Sequence, residues 1–350
     1  MSESDEAVVT RVDQVLATFL DERSGSLTLV GPELEPIAQA ARSLVLDGGK
    51  RIRPRFAYWG WRSAAPEGAP DEDVITAAAS LELVHACALA HDDVIDSSAT
   101  RRGNPSAHVS FAALHAAEGW SGTSDAFGSA AAILLGDLLL SWADTLFARA
   151  HMPEPAQRVY DDMRQLVMAG QYLDVLVQAR AEFSPADAMR VAEFKTSKYT
   201  VEGPLHLGGA AAGATPAVLE ALSAYALPLG VAFQLRDDVL GVFGDPAVTG
   251  KPAGDDLIEG KHTLLTALAM QSADPDQAEL LRSNLGRRDL DSGEIAALRE
   301  MIVSTGALDA VEERIATGAS QARAALAGIP AADARAALDG LVDAATQRRT

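Results

Sequence analysis

The stretch that decides the fold is VITAAASLELVHACALAHDDVID, residues 74–96, in which a long apolar run ends in closely spaced aspartates. Its apolar residues recur at three- and four-residue spacing, which is typical of a helix packed inside a protein. On that helix Asp92 and Asp96 share a face and Asp93 lies about 100° around it, so all three can border one pocket. Carboxylates desolvated together need cations, and Mg2+ is a hard ion that prefers oxygen ligands.

A second acidic pair, Asp237 and Asp238, lies in FQLRDDVLG, residues 233–241, which is again apolar and helix-like. Mg2+ rarely binds in a cage made only of protein ligands. It usually keeps waters and is shared between one or two carboxylates and substrate phosphates. The two acidic motifs therefore predict a ligand that carries phosphate.

Basic residues are concentrated, although the chain carries a formal net charge of -20. GGKRIRPR, residues 48–55, contains Lys50 and Arg53, and Arg101 and Arg102 follow the first acidic motif. Guanidinium groups match phosphate oxygens, and glycines let the backbone approach an anion closely. The alternative reading of such a run is a solvated surface or a nucleic-acid patch. The strongly acidic remainder argues against nucleic acid.

Composition and periodicity predict an all-α fold: a single large helical bundle around a central active-site cavity, formed by one domain over residues 1–350. No alternating strand series is present in the sequence. Clusters of Pro and Gly predict loops near residues 64–71, 116–127, 152–155 and 245–259. Residues 1–8 and 345–350 are expected to fray.

The start of the chain lacks the features of a secretory signal, and no uninterrupted apolar stretch reaches the roughly 18 residues of a membrane span. We therefore expect a cytoplasmic protein without a transmembrane segment. The single cysteine, Cys87, excludes an intrachain disulfide and is expected to be a small core or cavity residue rather than a nucleophile.

Six motifs in order carry a resemblance to a known family. They are GGKRIRP at 48–54, LELVHACALAHDDVIDSSATRRG at 81–103, LLGDLLL at 134–140, GQYLD at 170–174, KTSKYT at 195–200 and FQLRDDVLGVFGDPAVTGK at 233–251. In these the chain resembles the trans-isoprenyl (polyprenyl) diphosphate synthases, an all-α family that includes farnesyl and geranylgeranyl diphosphate synthases. The sequences of these motifs are most similar to those of bacterial geranylgeranyl diphosphate synthases of the actinobacterial type.

The resemblance implies a Mg2+-dependent prenyltransferase that condenses isopentenyl diphosphate with an allylic diphosphate, and it suggests a homodimer. Asp92, Asp93 and Asp96 would form one metal-binding wall, and Asp237 and Asp238 the other. The further contacts that the resemblance implies for the allylic substrate are Arg101, Lys195, Gln234 and Lys251, with Thr196 beside the reacting carbons. The residues implied for isopentenyl diphosphate are Lys50, Arg53, His85 and Arg102.

His85 precedes Asp92 by two helical turns, so it can face the same cavity. A purely structural, hydrogen-bonded histidine is the alternative. A mobile loop, residues 246–259, is expected to cover the site and exclude water from a carbocation.

Gly241 departs from the pattern, because many relatives have a third aspartate there. Substituting Gly241 by Asp is expected to lower the Mg2+ concentration needed for half-maximal activity. The resemblance implies that product length depends on Cys87 and Ala88, with Val84 and Leu81 lining the next turns. Because Cys87 and Ala88 are small, the expected product is geranylgeranyl diphosphate, with twenty carbons. A farnesyl or longer-chain product is the alternative.

Three other classes stay open at this point. A terpene cyclase shares a helical architecture and one acidic motif, but usually carries an Asn-Ser-Glu metal triad that the sequence after residue 200 does not show. A non-catalytic subunit of a heteromeric prenyl synthase would have lost acidic or basic residues. A structural helical protein would not bind a diphosphate in the presence of Mg2+.

Overall fold

The computed structural model describes residues 4–245 and 254–347. The described chain is almost entirely helical, as predicted. The helices of its first half are α1 Asp5–Thr28, α2 Glu35–Leu46, α3 Ile52–Arg62, α4 Glu72–Ile95, α5 Ala107–Ala117, α6 Ser124–Arg149 and α7 Glu154–Arg180. The helices of its second half are α8 Pro185–Val191, α9 Gly203–Ala211, α10 Pro216–Phe243, α11 Asp255–Glu259, α12 Leu264–Ser272, α13 Pro275–Asn284, α14 Ser292–Ser304, α15 Ala307–Ala325 and α16 Ala332–Thr346.

A two-stranded antiparallel hairpin interrupts the helices after the first acidic motif. Its strands are β1 Thr100–Arg101 and β2 Asn104–Pro105. Arg102, at the turn of this hairpin, has a positive φ of 53°. The turn holds Arg101 and Arg102 close to the end of α4, and such a short hairpin has too few residues for an alternating strand pattern.

Part of each terminal segment that was expected to fray is helical. Residues 5–8 belong to α1, and residues 345 and 346 belong to α16. Ser4 caps α1 by accepting a hydrogen bond from the Ala7 backbone, and Asp5 accepts a hydrogen bond from the indole of Trp59 at 2.9 Å. A capped first turn with a tertiary contact is stable although its sequence is polar.

α4 lies at the centre of the bundle and packs chiefly against α6, with α3 and α1 also in contact. Its apolar residues are buried all round, which explains why its sequence is apolar on every face. α10 contributes to both hydrophobic cores, with Leu229 in the larger core and Val239 in the core of the C-terminal helices. α4 and α10 therefore carry the two acidic motifs on buried, well-supported elements.

Residues Ala192–Glu202 form a π-helix between α8 and α9. π-helical turns are wider than α-helical turns and occur frequently at functional sites. Two glycines allow neighbouring helices to approach this segment. A Cβ at Gly170 of α7 would overlap the backbone of Lys195, and a Cβ at Gly230 of α10 would overlap Ser197. The π-helix is thereby fixed between α7 and α10.

Three helices, α4, α6 and α10, are long and apolar enough to cross a membrane, with mean hydropathies of 1.5, 1.6 and 1.5. The sequence-based expectation considered only uninterrupted apolar runs, whereas these helices contain isolated charged residues. Their most apolar windows are 72%, 39% and 44% buried inside the protein. α6 is the least covered of the three, and it leaves an apolar face exposed.

Candidate active site

A cavity of about 1220 Å3 lies among α3, α4, α7, the π-helix and α10. Fourteen of the residues that sequence reasoning selected line this cavity. They are Lys50, Arg53, Val84, His85, Cys87, Ala88, Asp92, Arg101, Arg102, Lys195, Thr196, Gln234, Asp237 and Asp238. Asp92 and Asp237, 145 positions apart in the sequence, therefore meet at one site, as predicted.

The first acidic wall is the end of α4. Asp92 accepts a hydrogen bond from Gln171 Nε2 at 2.7 Å, and Lys195 Nζ lies 3.3 Å from Asp92 Oδ1 and 2.7 Å from Asp174 Oδ2. Burial alone would lower the pKa of Lys195, but the carboxylates of Asp92 and Asp174 outweigh burial and raise it. Lys195 is thus a fixed positive charge beside the first wall.

Asp93 does not face the cavity. Its carboxylate is 1% exposed and accepts hydrogen bonds from Arg101, one of them from Nε at 3.0 Å. The structure thus places Asp93 in an ion pair with Arg101 and outside the cavity lining, because its position about 100° from Asp92 directs the side chain to the hairpin; its role as a metal ligand stays a prediction. Asp93 orients Arg101, whose guanidinium borders the cavity.

The second acidic wall is on α10, one turn after Gln234. Gln234 Nε2 donates to Asp238 Oδ1 at 2.7 Å, and Thr196 Oγ1 donates to Gln234 Oε1. Burial and the nearby carboxylate of Asp256 raise the pKa of Asp238 to about 8. This chain of hydrogen bonds connects the π-helix with the second wall.

Lys261 connects the two walls. Its Nζ lies 2.7 Å from Glu259, 3.3 Å from Asp256 and 3.6 Å from Asp96. Asp96, the C-cap residue of α4, therefore approaches the second wall through this lysine. Burial and the neighbouring Asp92 nevertheless raise the pKa of Asp96 to about 6. The excess of carboxylates at this end of the cavity calls for further cations.

Asp256 of α11 occupies the space next to Gly241. A Cβ at position 241 would overlap the Asp256 carboxylate. The second wall therefore has a third carboxylate, which comes from α11 and not from α10. The departure at Gly241 does not leave the second wall with only two acidic groups.

A basic pocket lies on the other side of α4. The Nδ1 atom of His85 is buried and meets no hydrogen-bond partner among the described residues. Burial, followed by the positive charges of Arg53, Arg102 and Arg101, lowers the pKa of His85 well below its ordinary value. Arg53 donates to Thr200 Oγ1 at 2.8 Å and stacks on the ring of Tyr199 at 4.6 Å. A neutral histidine surrounded by arginines fits a site for a phosphate-bearing anion.

The apolar part of the cavity continues along α4 past Ala88 and Cys87 to Val84. Leu81, predicted to line the next turn, is fully buried in the core and lies outside the cavity lining. Burial also raises the pKa of the Cys87 thiol to about 12, which excludes a thiolate nucleophile at neutral pH. Lys251 and residues 246–253 of the predicted lid lie outside the described residues.

Sequence reasoning did not assign roles to several residues that complete the site. They are Gln171, Asp174, Asp256, Glu259 and Lys261. The motif that contains Gln171 and Asp174 was evident as GQYLD, but its spacing alone does not indicate contact with Lys195. The three carboxylates in AGDDLIEGK, residues 253–261, could have drawn attention to α11.

The donor chemistry of the two walls fits magnesium, since every candidate ligand is a carboxylate oxygen. Within residues 4–245 and 254–347, however, no three acidic, histidine or cysteine side chains converge on one point. Carboxylates distributed over two facing walls suit ions that complete their coordination with water and diphosphate oxygens.

Comparison with known proteins agrees with this geometry. Residues 35–302 match the family described as polyprenyl synthetase. The chain belongs to this polyprenyl synthetase family. It is 32% identical over 286 residues to a geranylfarnesyl diphosphate synthase from Aeropyrum pernix, covering 79% of this chain and 83% of that protein. It is also 32% identical to the octaprenyl diphosphate synthase of Escherichia coli, over 73% of each chain.

Solved structures of polyprenyl synthetases share the whole fold. The geranylgeranyl pyrophosphate synthase of Corynebacterium glutamicum, complexed with isoprenyl diphosphate and magnesium, matches with a TM-score of 0.95 and 40% identity. That match covers 99% of this chain and 100% of the other. The protein is therefore a trans-prenyltransferase with the all-α fold of the prenyl diphosphate synthases.

Proposed function

We propose that this prenyl diphosphate synthase condenses isopentenyl diphosphate with allylic diphosphates to give geranylgeranyl diphosphate. The observation that carries the proposal is the division of one cavity into two acidic walls, a basic pocket and an apolar branch. Each part suits one portion of the two substrates: the allylic diphosphate, the second diphosphate and the growing hydrocarbon.

Magnesium is part of the proposal, with Asp92 and Asp96 on one wall and Asp237, Asp238 and Asp256 on the other as its holders. When bound, the metal would neutralise the charge that develops on the departing diphosphate. Lys195 provides a permanent positive charge at the same end of the cavity, and Arg101 provides a second one, oriented by Asp93. These side chains favour cleavage of the allylic C–O bond because they stabilise the leaving oxygens.

The basic pocket around His85 would hold isopentenyl diphosphate by its diphosphate, with Arg53, Arg102 and Lys50 as contacts. Its alkene then attacks the allylic cation and a new C–C bond forms. Transfer of one proton to the departed diphosphate then restores a double bond. No protein nucleophile is required. The hydrogen-bonded pair of Thr196 and Gln234 lies between the walls, where its oxygen atoms can stabilise positive charge on carbon.

A twenty-carbon product is favoured by the small side chains of Cys87 and Ala88 in the apolar branch. The geranylgeranyl pyrophosphate synthase of C. glutamicum, at 40% identity, supports the same product. Relatives near 32% identity carry names that range from farnesyl to octaprenyl diphosphate synthase, so identity at that level does not fix chain length.

The decisive experiment is incubation of purified protein with Mg2+, isopentenyl diphosphate and, separately, dimethylallyl, geranyl or farnesyl diphosphate. Chromatography of the dephosphorylated products should show a twenty-carbon alcohol. A different length would refute the product assignment. Absence of elongation with every primer, from folded protein, would favour a cyclase or a partner-dependent subunit instead.

A homodimer is also part of the proposal. α6 and α7 expose large apolar side chains that a second copy would cover: Ile133, Leu134, Met168, Tyr172 and Val175. Exposed large apolar side chains are typical of interaction surfaces. We further propose a cytoplasmic enzyme without a membrane-spanning segment. α4 and α10 carry the acidic motifs that line the cavity, and a helix that spans a membrane could not also form this site. Fractionation of cells tests this location.

A further inference from the structure

The apolar branch of the cavity contains a charged side chain. Three helices line this branch, through Val84 on α4, Leu140 on α6 and Arg164 on α7. Two of these are apolar, as expected for a site that holds hydrocarbon. Arg164 is the exception.

The register of α7 places Arg164 at the far end from the chemistry. Asp174 pairs with Lys195 at the polar end, Gln171 binds Asp92, and Val167 and then Arg164 follow on the same side of the helix. Ten residues of α-helix separate Asp174 from Arg164, which corresponds to about 15 Å. A hydrocarbon that grows away from the acidic walls therefore moves towards this guanidinium.

Arg164 is held in place by several partners. Its Nη1 donates to Asp144 on α6, its Nη2 donates to Asp161 Oδ1 at 2.7 Å, and its guanidinium stacks on the ring of Tyr160 at 4.3 Å. The Arg164 side chain is 19% exposed, whereas those of Asp144 and Asp161 are 55% and 68% exposed. The guanidinium thus spans the gap between α6 and α7 from the cavity to the outer surface.

The space directly beyond Arg164 is already filled. Tyr160, one turn earlier on α7, stacks on Phe147 of α6 with ring centroids 3.8 Å apart and an interplanar angle of 3°. Both rings are buried, at 2% and 8% exposure. A chain that passed Arg164 would have to displace either the ion pair or this aromatic pair.

We propose that the Arg164–Asp144 ion pair is the end wall of the elongation cavity and sets the maximum length of the prenyl chain. This inference rests on the proposed function, since it concerns how far the same enzyme elongates. The end of the growing chain is pure hydrocarbon and offers no acceptor to a displaced guanidinium. Movement of Arg164 away from Asp144 would therefore break one of the two ion pairs of a partly buried charge and leave it with Asp161 alone.

The test compares the product lengths of the wild-type protein and the Arg164→Ala variant, with farnesyl diphosphate as primer and excess isopentenyl diphosphate. We expect products at least one five-carbon unit longer from the variant. The matched control is Arg158→Ala, which removes an exposed ion pair with Glu154 from the same helix and should leave the product distribution unchanged.

Two further variants separate a length-setting role from a structural one. Arg164→Lys keeps a positive charge near Asp144 and should keep the wild-type length. Asp144→Asn leaves Arg164 with Asp161 alone and should give a smaller shift towards longer products, and it decides the question if Arg164→Ala does not fold.

The outcomes distinguish this inference from the proposed function. Elongation by the wild type together with an unchanged chain length in folded Arg164→Ala, or in Asp144→Asn should Arg164→Ala not fold, would overturn the end wall alone. Failure of the wild type to elongate any primer would remove the proposed function and the end wall with it.

Discussion

At the scale of the residue, Gly241 shows how a gap in one motif can be filled from another segment. α10 has no third carboxylate in its acidic motif, yet the Asp256 carboxylate lies where a Cβ at position 241 would be. The composition of the second wall therefore depends on α10 and α11 together. A sequence motif read along one helix does not contain this information.

This contact reverses the expectation for Gly241→Asp. The new side chain would displace Asp256 and add negative charge beside Asp238, whose pKa is already raised to about 8. We expect the Mg2+ concentration for half-maximal activity to rise roughly ten-fold, equivalent to about 1.4 kcal/mol. Titration of initial rates with Mg2+ measures it. Gly241→Ala adds the bulk without the charge and separates the two effects; a lowered Mg2+ requirement for Gly241→Asp would support the original expectation.

Cys87 provides a second prediction at this scale. A phenylalanine at position 87 would project into the apolar branch between the acidic wall and Val84, and would shorten the space for the hydrocarbon. Product analysis of Cys87→Phe should show a shift to shorter chains. Val303→Phe adds the same ring at a 51% exposed site on α14 and serves as the control. An identical product distribution in both variants would exclude Cys87 from length control.

His85 predicts a specific dependence of stability on pH. Its pKa in the folded protein is well below 6.5, the ordinary value for the unfolded chain. As the pH falls below about 6.5, His85 binds a proton in the unfolded state but stays neutral in the folded state. The free energy of unfolding therefore decreases. Relative to His85→Gln, the wild type should lose up to about 1.4 kcal/mol per pH unit in this range. Urea unfolding of both proteins at pH 7.5, 6.5 and 5.5 measures the difference, and parallel pH profiles would contradict a neutral buried His85.

At the scale of the element, the π-helix places Lys195 and Thr196 between the two acidic walls. It requires close approach by α7 and α10, which Gly170 and Gly230 permit. Ser197 Oγ also donates to the Leu227 carbonyl at 3.0 Å, one residue before Pro228 inside α10. The position of Lys195 thus depends on residues that do not line the cavity.

Gly230→Ala tests this dependence. The added methyl group would overlap Ser197, and we expect a loss of about 1–3 kcal/mol in the free energy of unfolding. A fall in kcat should accompany it, because displacement of the π-helix moves Lys195. Gly340→Ala, in α16 with open space around the new methyl group, should be neutral or stabilise by about 0.5–1 kcal/mol. Chemical denaturation and steady-state rates give both values; a fully active, stable Gly230→Ala would rule out this constraint.

Most helices and the loops near residues 64–71, 116–127 and 152–155 could be predicted because hydrophobic periodicity and Pro or Gly clusters are local properties. The loop predicted near residues 245–259 was partly wrong, because Asp255–Glu259 form helix α11. Asp92 and Asp237 could be assigned to one site because clustered carboxylates in apolar sequence require a shared cation. The π-helix could not be predicted, since its wide turns depend on contacts with α7 and α10. The pairing of Asp93 with Arg101 could not be predicted either. It depends on the tight hairpin that presents Arg101, and two residues in each strand are too few for a recognisable strand pattern.

At the scale of the whole molecule, the exposed apolar face of α6 and α7 predicts the oligomeric state. Two chains of 36.6 kDa should sediment as one particle of about 73 kDa, twice that mass. Leu134→Glu places a charge on a side chain that is 61% exposed and should dissociate the dimer. Sedimentation velocity measures both. Val303→Glu, on an exposed apolar side chain of α14, is the control, and a monomeric wild type would refute the dimer.

α4 bears both ends of the cavity, with Asp92 at one and Val84 at the other, separated by about two helical turns. In every round of elongation the polar end of the cavity binds the same diphosphate group. The apolar end, in contrast, holds a hydrocarbon that is longer after each round. Natural selection can therefore alter the apolar residues without disturbing the bond-forming machinery. A lineage of such proteins can diversify its products by small steps, and relatives with products as different as farnesyl and octaprenyl diphosphate can keep one architecture.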